Sequence, residues 1–193
     1  MSDYVNTLAK EILAHAASPV PKVRFAKIIY FAFKQMVLSG VAKEYDLAFI
    51  RMPLGPVADG FMDLSSDPQI VIIKDDVGLS YNREKYSLKE QVINEYIQSN
   101  ASEIKHVLSR LQNVATSDLI ASSHKDSSWI SNRNGAKYYI TSEDVRNPFP
   151  SARSRINEKI DDQLVQSQLI NGMLDDAVND SSALEHPDYY QNG

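Results

Sequence analysis

Apolar residues recur at helical spacing along much of the chain. Over residues 3–16, Val5, Leu8, Ile12 and Leu13 fall on one face, and Ser2 or Asp3 can cap the start. The prolines of "SPVPK" (Ser18–Lys22) end that helix, because neither can continue it. The strongest helical pattern spans residues 22–39. Val23, Ala26, Ile29, Tyr30, Phe33, Val37 and Leu38 repeat every three or four positions, and Gly40 is a natural stop. Phe25, Ile28, Phe31 and Met36 make further faces apolar, so this helix is expected at the centre of the core.

"YDLAFIRM" (Tyr45–Met52) can be extended, although its pattern is short. In "PLGPV" (Pro53–Val57), Gly55 precedes a proline and is pushed out of the α region. Pro56 suits the first position of a helix, so a short helix is expected from Val57 to Ser65. Gln69–Leu88 reads as short strands with turns at "DDVG" and "NRE". Helices are expected again at Lys89–Ser99, at Ser102–Gln112 and after a cap at Thr116 or Ser117, the last running into His124. Arg155–Val178 is periodic through Ile156, Ile160, Leu164, Ile170, Met173 and Leu174. The fold class is therefore mainly α with a small β element (α+β). One compact helical domain over residues 1–150 is followed, after the prolines of "NPFPS" (Asn147–Ser151), by a helical appendage over residues 151–193.

Composition narrows the function classes. The chain of 193 residues is 43% hydrophobic and 23% charged, as in ordinary globular proteins. The longest apolar cluster, Ile28–Phe33, is bounded by Lys27 and Lys34, far short of a membrane span of roughly 20 residues. The first sixteen residues lack the basic start and apolar core of a secretory signal. Cysteine is absent, which excludes disulfides, thiolate metal sites and cysteine nucleophiles, and suits a cytoplasmic location. Residues 160–193 carry seven acids and no Lys or Arg. With −7 there and −5 overall, the first 159 residues carry +2. That distribution argues against nucleic acid as the main partner and is compatible with a basic protein partner or with simple solvation of the tail.

The stretch "SSHKDSSWISN" (Ser122–Asn132) holds the residue types of hydrolytic catalysis. A triad of His124, Asp126 and Ser127 would need three neighbours in the chain to meet in a fixed order, and there is no G-x-S-x-G elbow. The histidines His15, His106, His124 and His186 are scattered, with no metal-ligand spacing, and no Gly-rich phosphate loop exists. The pairs Asp75–Asp76, Asp161–Asp162 and Asp175–Asp176 read as solvated faces. No cofactor and no catalytic residue is expected. The economical reading is a brace: His124 meets the end of a helix, Asp126 and the serines start a turn, and Trp129 anchors in the core.

Three pieces in this order carry a resemblance: "RFAKIIYFAF" on the core helix, "PLGPV" at the expected start of the next, and "LIASSHKDSSW" late in the domain. Together they resemble the Panacea domain family, the SocA/GepA-like group of phage- and prophage-associated proteins. Lys27 and Tyr30 match its core-helix pattern, Gly55, Pro56 and Val57 its Gly-Pro-Val turn, and Ser123, His124 and Trp129 its Ser-His…Trp segment. Leu54 stands where the family usually has an aromatic. The resemblance covers roughly residues 5–150 and leaves the appendage outside it. It implies an antitoxin, not an enzyme, that holds a cognate toxin inactive by direct contact. The family's partners include tRNA-modifying or alarmone-synthesising enzymes and membrane-disrupting peptides. A related branch delivers its toxin to a protease, which is the alternative reading, and a hydrolase using His124 is the remaining rival. The acidic appendage and the exposed side of the first two helices are the candidate contact elements.

Overall fold

A computed structural model describes residues 3–74, 84–96, 101–147, 149–151 and 158–179. Helix α1 (Asp3–His15) buries Val5, Leu8, Ala9, Ile12 and Leu13, the expected stripe. The proline-interrupted segment contributes strand β1 (Val20–Pro21), after which α2 (Lys22–Leu38) begins. Helix α2 is the central element. It packs against α1 and against three helices of the domain's second half: α4 (Ala101–Leu111), α5 (Thr116–Ser123) and α7 (Ser142–Arg146). Being enclosed, α2 buries residues on every face, including Lys22, Lys27 and Lys34.

Two small antiparallel sheets flank it. In the first, β1 pairs with β5 (Glu84–Leu88), which pairs with β4 (Ile70–Lys74). The strands fall within the expected extended region; Asp75–Gly78, Asn82 and Arg83 lie outside the described residues. The inward face of this sheet supplies Ile70, Tyr86 and Leu88, and Tyr86 packs its ring against Phe25 and Phe61 at 5.5 and 5.9 Å. In the second, β2 (Phe49–Ile50) lies between β3 (Val57–Ala58) and β6 (Lys137–Tyr138).

The second sheet overturns one expectation. Val57 and Ala58 are not helical: they pair with Ile50 and Phe49. The next helix is a 3-10 segment, Phe61–Ser66, begun after Gly60 at φ 91°. Long-range strand pairing here outweighs the local preference of Pro56 for a helix start. Lys89–Ser99 is likewise broken, into a 3-10 turn (Glu90–Val92) and α3 (Ile93–Tyr96), with Ile97–Ser99 outside the described residues. Helix α6 (Ser127–Ile130) and α7 follow, α7 starting from a reciprocal capping box between Thr141 and Asp144. Helix α8 (Glu158–Asn179), within the segment expected as an appendage, lies along α5. No described helix is long and apolar enough to cross a membrane.

Candidate functional site

Lys27, Tyr30 and Lys34 stand at i, i+3 and i+7 on α2, one inward row. Around this row the structure gathers the three sequence pieces into two adjoining polar clusters.

The first is centred on Asp126, which is 0% exposed. The Tyr30 hydroxyl donates to its carboxylate. Lys34 Nζ donates to both oxygens at 2.9 and 3.1 Å, and Asn147 Nδ2 to Oδ1 at 2.7 Å. Burial, then the charge of Asp126 and its hydrogen bond, hold the Tyr30 hydroxyl well above the usual phenol range. A buried carboxylate matched by one ammonium and two neutral donors is a neutral, satisfied unit. Removing one ionic partner leaves the other charge stranded. Asp126 was expected to bond nearby backbone and start a turn. It does precede α6, yet its side chain makes no capping bond and turns inward to α2. The ionic attraction of buried Lys34 is the stronger pull.

The second cluster forms where Gly55 passes under the end of α5. Gly55 has φ +92°, a conformation that L side chains rarely adopt, and its Cα faces the Ser123 hydroxyl, Lys27 Nζ and the His124 ring. Lys27 Nζ donates to the Pro56 carbonyl at 2.7 Å, and burial pushes its ammonium well below the usual lysine range. Ser123 Oγ donates to the Ile120 carbonyl at 2.8 Å. His124 is the residue that closes α5. Its ring stacks on Trp129 with centroids 3.9 Å apart and planes 10° apart. Trp129 Nε1 donates to the Met52 carbonyl at 3.2 Å, and the Arg51 guanidinium sits 4.3 Å from the indole ring. Burial, helped by the charges of Lys27 and Arg51 and opposed by a bond to the Pro53 backbone, pushes His124 down to about 3. The ring is therefore neutral at physiological pH. Its Nε2 is buried and meets no hydrogen-bond partner among the described residues.

Of the residues singled out in the sequence, Lys27, Gly55, Pro56, Ser123 and His124 meet directly, Trp129 stacks on their edge, and Tyr30 joins the neighbouring Asp126 unit. Val57 stands apart, half-buried in β3. The triad arrangement is not assembled. Asp126 accepts from α2 and Asn147, while Ser127 Oγ donates towards Asp144 at 3.0 Å and Glu143 at 3.3 Å. Among the described residues no three His, Asp or Glu side chains converge as metal ligands. A cleft of about 270 Å³ opens beside the Asp126 unit, lined by Asp118, Ser122, Lys125, Asn147, Phe149 and Ser151.

The appendage is tied to the same region. Asp161 Oδ2 and Oδ1 accept from the Thr116 and Ser117 amides at 2.7 and 2.9 Å, so the first turn of α5 is capped from α8 and not by its own Thr116 or Ser117. Gln168 Nε2 donates to the Ser117 carbonyl at 3.2 Å, and Val165 is buried. Gly172 lies against Pro53, where an added Cβ would be 3.0 Å from its carbonyl oxygen. Asp161 is thus an inter-element cap and not a solvated face. Asp75, Asp76 and His186 lie outside the described residues, as do the side chains of Asp175 and Asp176.

Lys34, Asp126, Asn147 and Asp161 are the polar residues that the sequence did not single out for these roles. The spacing Lys27–Tyr30–Lys34 within an otherwise apolar helix was a usable signal, since a buried lysine demands an acid. Nothing local marks Asp161. No family model matches the chain, and no curated protein or solved structure matches it.

Proposed function

We propose that this chain is a protein antitoxin of Panacea type, which neutralises a cognate toxin by binding it and occluding its working surface. The observation that carries the reading is the convergence of the three sequence pieces on one interior point. Lys27, Gly55–Pro56 and Ser123–His124 come from separate parts of the chain and interlock around a backbone turn too tight for a side chain. Residues that serve as the marks of a family while bonding to their own backbone are a scaffold's residues. The Tyr30–Lys34–Asp126–Asn147 unit is spent in the same way on holding α2 to the domain's second half. A scaffold of this kind acts through its surface, and occlusion needs only a good interface, commonly about 1,600 Å² in total.

The toxin is a cytoplasmic target, of the tRNA-modifying or alarmone-synthesising class, and the antitoxin acts beside it in the cytoplasm. Co-expression tests this. The neighbouring toxin gene should arrest growth alone, growth should return with this chain, and the two proteins should co-elute. A folded His124→Gln variant should still rescue; loss of rescue with folding intact would favour chemistry at His124. Rescue without a stable complex, accompanied by protease-dependent loss of the toxin, would favour delivery to a protease instead.

A further inference from the structure

Helix α8 is mounted with its apolar side outward. Asp161, Val165, Gln168 and Gly172 face α5 and Pro53. Ile160, Leu164, Ile170, Met173 and Leu174 are between 36% and 59% exposed. At about 100° per residue, Ile160, Leu164, Ile170 and Leu174 share an arc of about 120°. The four inward residues share an arc of about 60°, well rotated from it. A surface helix ordinarily turns its apolar stripe to the core and its polar side to water. Here two polar side chains, Val165 and a glycine do the docking, and four large aliphatic side chains are left in a row. Contiguous exposed apolar rows on otherwise well-packed proteins mark contact surfaces.

We propose that the outward row of α8 is the toxin-contact surface, and that it receives an apolar ridge or groove of the toxin edged by Lys and Arg. This rests on the antitoxin reading and names its partner surface. Charge selects the occupant. Helix α8 carries one lysine and five acidic residues, of which Asp161 is taken up by the cap on α5, and residues 180–193 hold no Lys or Arg. Two copies packed through this face would bring like-charged helices together, whereas a basic-rimmed partner is attracted. A second exposed apolar pair, Val71 and Ile73 on β4, is smaller and sits beside Lys74 and Lys85, so it does not suit the same partner.

The test is titration calorimetry of the full chain against the purified product of the adjacent toxin gene. Three proteins are compared: wild type, Leu164→Gln/Leu174→Gln, and Val71→Gln/Ile73→Gln. Leu164 and Leu174 are exposed, so the melting temperature of the first variant should match wild type. The expected result is a loss of affinity of about 30-fold or more for the α8 variant and less than about threefold for the β4 variant. Wild-type affinity should also fall as NaCl is raised from low to high concentration. Wild-type binding by the α8 variant overturns the surface while leaving the antitoxin reading standing. Failure of wild type itself to bind overturns both. Insensitivity to salt overturns the basic rim. A wild-type dimer in sedimentation velocity that the α8 variant converts to monomer overturns the proposal in favour of a second copy.

Discussion

Gly55→Ala isolates the tight passage beneath α5. Two costs combine there. The first is conformational: at φ +92° an L residue pays about 1–2 kcal/mol relative to glycine. The second is steric. The new Cβ would collide with the Ser123 hydroxyl and stand 2.9 Å from Lys27 Nζ and 3.3 Å from His124 Cδ2. These atoms cannot simply swing aside. Ser123 is fully buried and bonded to Ile120, Lys27 is held by the Pro56 carbonyl, and His124 is stacked on Trp129. Overpacking of this kind costs about 1–3 kcal/mol, so the expected total is about 2–5 kcal/mol. Gly40→Ala is the internal control, because Gly40 has φ +74° with nothing within 4 Å of an added Cβ, leaving only the first cost. Urea unfolding of both variants, with slopes compared to wild type, measures the difference. Adding Ser123→Ala to Gly55→Ala should recover part of the steric loss. Equal destabilisation by the two glycine substitutions would refute the claim that Gly55 is required by close approach.

Three further outcomes follow from the same geometry. Asp126→Ala should destabilise by about 3–5 kcal/mol in urea, because it strands the Lys34 ammonium; Asp126→Leu with Lys34→Met should recover most of that, and a double variant as weak as the single would disprove the pairing. His124 has its folded pKa near 3, below the ordinary 6.5, so the fold favours the neutral ring: this stability is complete above about pH 6.5 and is lost as pH falls towards 3. Between pH 7 and pH 5 it should amount to about 1–2 kcal/mol after allowance for partial exposure, and His124→Gln should flatten that part of the profile; an unchanged profile would show that His124 does not titrate against folding. Asp161→Ala should cost about 1 kcal/mol and speed hydrogen exchange at the Thr116 and Ser117 amides, whereas unaltered exchange there would show that the cap is not formed in solution.

The helices that could be read from the sequence are those whose signal is local and dense. Helix α2 declares itself because apolar residues occupy every face, and α1 because its stripe is clean. The error at Val57–Ser65 has a specific cause: two residues of β3 are held by β2, a partner invisible to any local window. The capping box at Thr141–Asp144 does have a sequence signature, and it marks α7, an element not expected above. For the polar clusters, residue types drew notice to Ser122–Asn132 but did not give the contacts its side chains make. His124 closes α5 and stacks on Trp129, and its ring bonds the Pro53 backbone instead of the last carbonyls of its helix. The periodicity of residues 155–178 marked a helix, and α8 runs over Glu158–Asn179, with 155–157 outside the described residues. It could not show which side faces home, because periodicity records that a stripe exists and not what lies against it.

The cap on α5 has a consequence in time. Thr116 and Asp161 are 45 residues apart, so during synthesis the amides at the start of α5 leave the ribosome well before the carboxylate that receives them. At about 5–20 residues per second that interval is about 2–9 s. Throughout it, the helix that presents Ser123 and His124 to Gly55 has bare amides at its first turn. The last step in building the braced domain therefore waits for the appendage to be made.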